Sequence, residues 1–168
     1  MSEPTTLHDF DFLHGSWRVQ NRRLTARLAS SDTWEEFETH VECGPLLEGR
    51  GNIDTYRGVD IAMSAVALRL LDAATGEWWI YWANGASGAL DAPVRGRFVG
   101  DVGEFYGDDH HDGVPVRVRF IWQRVDDDHA EWAQAFSADG GATWETNWTM
   151  SFARQPQRTV GQQPLANT

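Results

Sequence analysis

Period-two alternation runs through nearly the whole chain and narrows the folds open to it more than any other feature. Trp17, Val19 and Asn21 alternate with Arg18, Gln20 and Arg22 in a segment from Ser16 to Arg27. This is how a strand with one buried face reads. Thr33 to Cys43 repeats it, with Phe37, Thr39, Val41 and Cys43 on one side and Gly44-Pro45 as punctuation. Further strands are predicted over Gly51–Arg57, Ser64–Leu71, Glu77–Ala83, Val94–Val99, Glu104–Tyr106, Val114–Val125, Glu131–Ser137 and Thr143–Arg154. Turn signals separate them: Asp72 to Gly76, Gly100 to Gly103, and Asp139-Gly140-Gly141. Regular short strands of this kind argue for an antiparallel barrel or sandwich, not a parallel α/β sheet. Only Leu7 to Leu13 suggests a helix, short enough to plug one end of a barrel. Residues 1–154 are expected to form one domain. The Gln-, Pro- and Thr-rich tail, 155–168, is expected to be disordered.

Nine Trp among 168 residues exceed what a core of this size needs, so some are expected to line a pocket. The net charge of -11 repels nucleic acid and anionic lipid, which argues against either as partner. All 14 basic residues are Arg, so there is no Lys for Schiff-base chemistry. One cysteine, Cys43, allows no internal disulfide and reads as a small buried hydrophobe. The first residues lack the charged and apolar regions of a signal peptide, and the apolar run Ile61 to Leu71 is too short to span a bilayer. The expectation is a cytoplasmic protein without a membrane partner.

Two local patterns bear on architecture. Ser137-Ala138-Asp139-Gly140-Gly141-Ala142-Thr143-Trp144 resembles the Asp-box hairpin, in which a carboxylate ties a glycine turn together and Trp packs beneath; it reads as a folding device. Gly15-Ser16-Trp17 opens the first strand and Arg154 closes the last. Parity places Trp144, Thr146, Trp148, Met150, Phe152 and Arg154 on one face. An Arg sharing an apolar face is explained by stacking on Trp17.

That pairing is similar to the one in the lipocalin and fatty-acid-binding superfamily, where a first-strand Trp packs across the closed end and a late Arg stacks on it. A wider likeness runs through Asp9 to Arg18, Asn21 to Leu24, Trp34 to Phe37, Pro45 to Leu47, Gly51 to Asp54, Tyr81-Trp82, Gly96 to Phe98, Val118 to Phe120 and Trp132 to Arg154. Together these resemble an uncharacterised bacterial family of lipocalin-like proteins. The resemblance implies an up-and-down calycin-type barrel of 8–10 strands and little about activity. Ala133 stands where the family pattern has Glu. A related heme-binding barrel family uses a proximal His late in the chain. The last His here is His129 and none lies on the final strand, which argues against heme; no cofactor is expected.

A barrel of this size leaves room for one small ligand. Parity points Val118, Phe120 and Trp122 inward, then Trp132, Gln134 and Phe136, then Trp144, Thr146, Trp148 and Met150. Glu77 to Ala83 is aromatic on both faces, so its inward set stays open between Trp78, Ile80, Trp82 and Trp79, Tyr81. The ligand-binding candidates are Asn21, Arg23, Arg69, Tyr81, Trp82, Arg97, Arg119, Phe120, Trp122, Trp132, Gln134 and Trp148. Buried polar members such as Asn21, Arg23 and Gln134 either bond one another or orient a ligand. Asp54, Tyr56 and Tyr81 are the acid or base candidates; Asp54 with an Arg makes an anion-holding pair or an ordinary cross-strand bridge.

Other chemistries lack their residues. Asp108-Asp109-His110-His111-Asp112 is the one dense His and Asp cluster and reads as an acidic surface loop, not a metal site. Gly49-Arg50-Gly51 precedes no helix that could hold phosphate, and no G-x-S-x-G elbow appears. Three functions remain open. The barrel binds a small hydrophobic or aromatic metabolite; it is a cyclase, isomerase or dehydratase acting on a polyketide-like molecule in the same cavity; or it is a β domain with a filled core. Exposed aromatics between Trp78 and Trp82 would suit a homodimer contact.

Overall fold

The alternating segments become ten antiparallel strands in the computed structural model, which describes residues 6–156. They are β1 (Gly15–Leu24), β2 (Trp34–Leu46), β3 (Gly51–Gly58), β4 (Ser64–Asp72) and β5 (Glu77–Asn84). After them come β6 (Val94–Val99), β7 (Val102–His111), β8 (Val114–Arg124), β9 (His129–Ser137) and β10 (Glu145–Arg154). Each strand pairs with its sequence neighbours, and β1 pairs with β10 from Trp17↔Arg154 to Arg23↔Trp148, closing the barrel. Closure leaves no free edge to template aggregation. Of the barrel and the sandwich that the alternation left open, the up-and-down barrel implied by the family resemblance is the observed fold.

Up-and-down order puts alternate connections at opposite ends. One end carries the chain start and the turns near residues 47–50, 73–76, 100–101 and 125–128. The other carries the connections 25–33, 59–63, 85–93, 112–113 and 138–144.

The first end is sealed. The expected helix is only a single 3-10 turn, Asp11–Leu13, but it does plug the barrel. Phe10 and Leu13 are buried beneath Trp17, Trp78, Phe105 and Trp122. Phe10 meets Trp78 edge-on at 5.1 Å and Phe98 at 4.9 Å. Each such ring buried contributes about 1.5–3 kcal/mol, and each favourable ring pair adds about 0.5–1.5 kcal/mol.

Arg154 locks the plug. Its guanidinium lies 4.2 Å from the centre of the Trp17 ring and donates to the carbonyls of His14 at 2.7 Å, Phe12 at 2.8 Å and Asp127 at 2.9 Å. Trp17 donates its indole N–H to Leu13, 2.7 Å away. Gly15 is required here for two reasons. Its φ is +115°, and a Cβ would stand 3.0 Å from the Arg154 Nη1. The Gly-x-Trp opening and the terminal Arg are thus parts of one contact.

Four expectations are corrected. Pairing runs on through Gly44-Pro45 to Leu46↔Gly51; β1 stops pairing at Gly15↔Cys43, so on that side the missing Pro45 N–H breaks no ladder. Glu104–Tyr106 is the middle of a ten-residue strand. Asp108 to His111 therefore lie in β7, paired with Val114 to Arg117, and only Asp112-Gly113 turn. In β10 the register jumps between Thr146 and Trp148. This bulge adds one residue, Asn147, and inverts the parity before it. Trp144 accordingly packs against Arg119 and Tyr106, which lie on the face opposite the inward Phe105, Val118 and Phe120. The expected disorder of the tail concerns, from residue 157 on, positions outside the described residues. Among the described residues no helix is long and apolar enough to cross a membrane.

Candidate functional site

The nine Trp divide by position. Trp17, Trp78 and Trp122 pack the sealed end. Trp34, Trp79 and Trp144 are only partly buried, and each has an Arg guanidinium over its ring, at 4.4 Å, 5.6 Å and 4.6 Å. Trp82, Trp132 and Trp148 stand between, in the open half. There Trp148 meets Trp82 at 5.6 Å and Trp132 at 5.7 Å, both edge to face. Such contacts hold the rings upright but leave a face of each free to meet something else.

These three rings surround a cavity of about 380 Å³ that opens through the unsealed end. Phe120, Val118, Ile80 and Phe136 complete its apolar wall. Gln134 is the polar group set into it, donating through Nε2 to Asn147 Oδ1 at 2.8 Å. Arg23, Arg27, Asp91, Asp109, His110 and His111 ring the mouth. Beneath lies a void of about 20 Å³, room for roughly one water, bounded by Tyr56, Arg69, Trp122 and Met150.

The pose of Trp148 is set from behind. Its indole N–H donates to Asn21 Oδ1 at 3.0 Å, and Asn21 Nδ2 donates to Thr39 Oγ1 at 3.1 Å. All three residues are buried, so each polar group needs a partner and here has one.

Under the cavity an ion pair is sealed in. Arg69 donates to Asp54 through both terminal nitrogens, at 2.7 Å and 2.6 Å, and to Asn52 Oδ1 at 3.0 Å. Both charged side chains are 1% exposed. The guanidinium sits 5.1 Å from the rings of Phe10 and Trp122. Burial alone would lower its pKa, but the Asp54 carboxylate more than offsets this and the net shift is upward. Tyr56 donates to Asp54 Oδ2 at 3.0 Å, and burial, then that carboxylate, push its phenol up. Burial and Asp54 likewise push the Cys43 thiol up, which keeps it a protonated, unreactive group.

Of the residues singled out from the sequence, Arg23, Trp82, Phe120, Trp132, Gln134 and Trp148 line the cavity. Six others do not. Asn21 braces Trp148, Arg69 is locked to Asp54, and Trp122 packs in the sealed half. Tyr81 lies on the opposite face of β5 from the buried Trp78 and Ile80, which settles the inward set of that strand. Arg97 is exposed and donates to the Thr75 carbonyl at 2.7 Å. Arg119 stacks on Trp144. Of the acid or base candidates, Asp54 is the cross-strand bridge, Tyr56 reaches only the lower void, and Tyr81 is outside.

Arg27 was not singled out, although the predicted strand Ser16 to Arg27 includes it on the parity of Trp17 and Arg23; β1 ends at Leu24, and Arg27 reaches the cavity from the connection that follows. His110, His111 and Asp109 were missed because their segment reads as a loop. Among the described residues no cluster of three or more His, Cys, Asp or Glu is placed to hold a metal ion.

The crystal structure of Rv2717c from M. tuberculosis is similar, with a TM-score of 0.56 and 18% identity over 93% of this chain and 100% of that one. At that identity the likeness speaks for the barrel fold alone. No protein-family model and no curated protein matches the chain.

Proposed function

We propose that the protein binds a small, largely hydrophobic or aromatic molecule in the open half of the barrel. The observation that carries this reading is the cavity of about 380 Å³ walled by Trp82, Phe120, Trp132 and Trp148. Its size falls within the roughly 300–1,000 Å³ usual for ligand sites, and its inner wall is aromatic and aliphatic, as such sites commonly are, with the charged groups at the mouth. Catalysis is the weaker reading, since Asp54, Tyr56 and Tyr81 all lie off the cavity wall. We also read the chain as a member of the calycin group, on the strength of the Gly15, Trp17 and Arg154 contact, and as cytoplasmic, in keeping with its single cysteine.

The test uses N-phenyl-naphthylamine, an uncharged dye of suitable size. Saturable binding with quenching of intrinsic Trp fluorescence is expected. Val118→Trp, which places an indole in the cavity, should abolish the binding while costing no more than about 1–3 kcal/mol of stability, so that the variant stays folded. Saturable binding that survives Val118→Trp would place the dye elsewhere and sink the reading.

A further inference from the structure

Two guanidinium groups meet at the mouth of the cavity. Arg23 and Arg27 lie 5.1 Å and 5.9 Å from the centre of the same Trp148 ring. Arg23 also covers Phe37 at 4.9 Å and is answered by Glu35 at 2.7 Å. Arg27 covers Phe136 at 5.5 Å. Among the described residues it has no carboxylate within 4.0 Å and no side-chain hydrogen bond. Bringing two like charges together and desolvating one of them costs free energy unless an anion completes the set. The cost is visible in Arg27, whose pKa is lowered by burial first and by Arg23 second.

Arg23 and Arg27 are the cations of a mouth that also carries Asp91 and Asp109. The carboxylates around Arg27 answer it only from beyond 4.0 Å: Glu35 is bonded to Arg23, Glu145 accepts from the Leu28 amide, and with Asp91 they offset its charge in part. Asp91 and Asp109 belong to other elements, the β5–β6 connection and β7. Burial and then Asp109 push the Asp91 carboxyl up, with Arg27 only partly opposing. His110 and His111 share that β7 stretch. An anion is therefore drawn to the Arg27 side of the mouth and repelled from the Asp91 side.

We propose that the ligand carries an acidic group, a carboxylate or comparable oxyanion, that Arg27 binds at the mouth while the apolar body lies among Trp82, Trp132 and Trp148. This deepens the reading above and rests on it. Arg presents a planar fork of donors that suits such groups, and stacking on Phe136 and Trp148 holds the fork in place beforehand. The molecule implied is amphipathic, with one acidic end and an aromatic or otherwise apolar body.

Two dyes that share a skeleton separate the claims. Anilinonaphthalene sulfonate carries an anion; N-phenyl-naphthylamine is its uncharged counterpart. Arg27→Gln should weaken the sulfonate dye about tenfold more than the uncharged one, the size of a lost charge-assisted hydrogen bond. Arg27→Lys should fall between the two. Equal effects on both dyes, or none on either, would overturn the proposal. Saturable, cavity-dependent binding of the uncharged dye keeps the ligand-binding reading standing when the anion claim fails. Absence of binding of either dye to the wild-type protein removes both.

Discussion

The two halves of the barrel use the same chemistry to opposite ends. At the sealed end Arg154 covers Trp17 and Arg69 sits between Phe10 and Trp122. Both cations also give their N–H groups to fixed acceptors: three carbonyls for Arg154, Asp54 and Asn52 for Arg69. At the open end Arg23 and Arg27 share the Trp148 ring, yet only Arg23 has a counter-ion. An arginine on a tryptophan is thus a closure where acceptors surround it, and an unanswered charge where they do not. Ring packing differs in the same sense. Phe10 contacts four other rings besides Phe12 in the sealed half, whereas Trp132 and Trp148 border empty space.

If the sealed half is a stability element, its charges should be the most costly to disturb. Arg69→Met leaves Asp54 buried without its cation and should destabilise the fold by about 3–5 kcal/mol, read as a loss in urea unfolding. Arg69→Met with Asp54→Leu should recover much of that, because no charge is then stranded. A single substitution costing under about 1 kcal/mol would break the contrast between the halves, since it would make Arg69 as dispensable as a surface cation.

Gly15→Ala tests the same end with less force. It adds a Cβ at a φ of +115° and 3.0 Å from the Arg154 Nη1. The expected loss is about 1–3 kcal/mol, the usual range for a side chain forced into a disfavoured backbone region. Binding of N-phenyl-naphthylamine should change much less than stability, because the cavity is at the other end. A variant as stable as the wild type would show that Arg154 is not seated where the closure requires it.

Most of this architecture was legible in alternation, and the places where it was not have physical causes. β8 and β9 keep uninterrupted parity, so Val118, Phe120, Trp132 and Gln134 could be placed inward from the sequence. β10 could not be read through, because Asn147 bulges and inverts everything before it. Parity also gives direction but not depth. Arg69 does point inward, yet it lies below the cavity, and only the fold brings Asp54 across from β3 to claim it. On β5 the outward Trp79 mimics a core residue because Arg95 covers its ring. Arg27 lies on the inward parity of the predicted strand Ser16 to Arg27, yet β1 ends at Leu24 and the residue reaches the mouth from a loop, whose path no period gives.

The hairpin at the open end should give the smallest effect. Asp139 accepts bonds from the Ser137 hydroxyl at 2.7 Å, the Thr143 amide at 2.9 Å and the Thr143 hydroxyl at 2.6 Å. The Thr143 bonds, hydroxyl first, then that of Ser137, hold its carboxyl well below the usual range. A carboxyl depressed in the folded state stabilises above its unfolded pKa of about 3.9 and loses that contribution as pH falls toward the folded value. Asp139→Asn should therefore lower the melting temperature at neutral pH, by less than Gly15→Ala does. The gap between variant and wild type should narrow as the pH drops below about 4, where the unfolded carboxyl takes up its proton while the folded one still resists. A gap that stays constant from neutral to strongly acid pH would show that the carboxylate's charge does not hold the turn. The hairpin would then owe its shape to Gly140, Gly141 and the packing of Trp144, and the open end would rest on its rings alone.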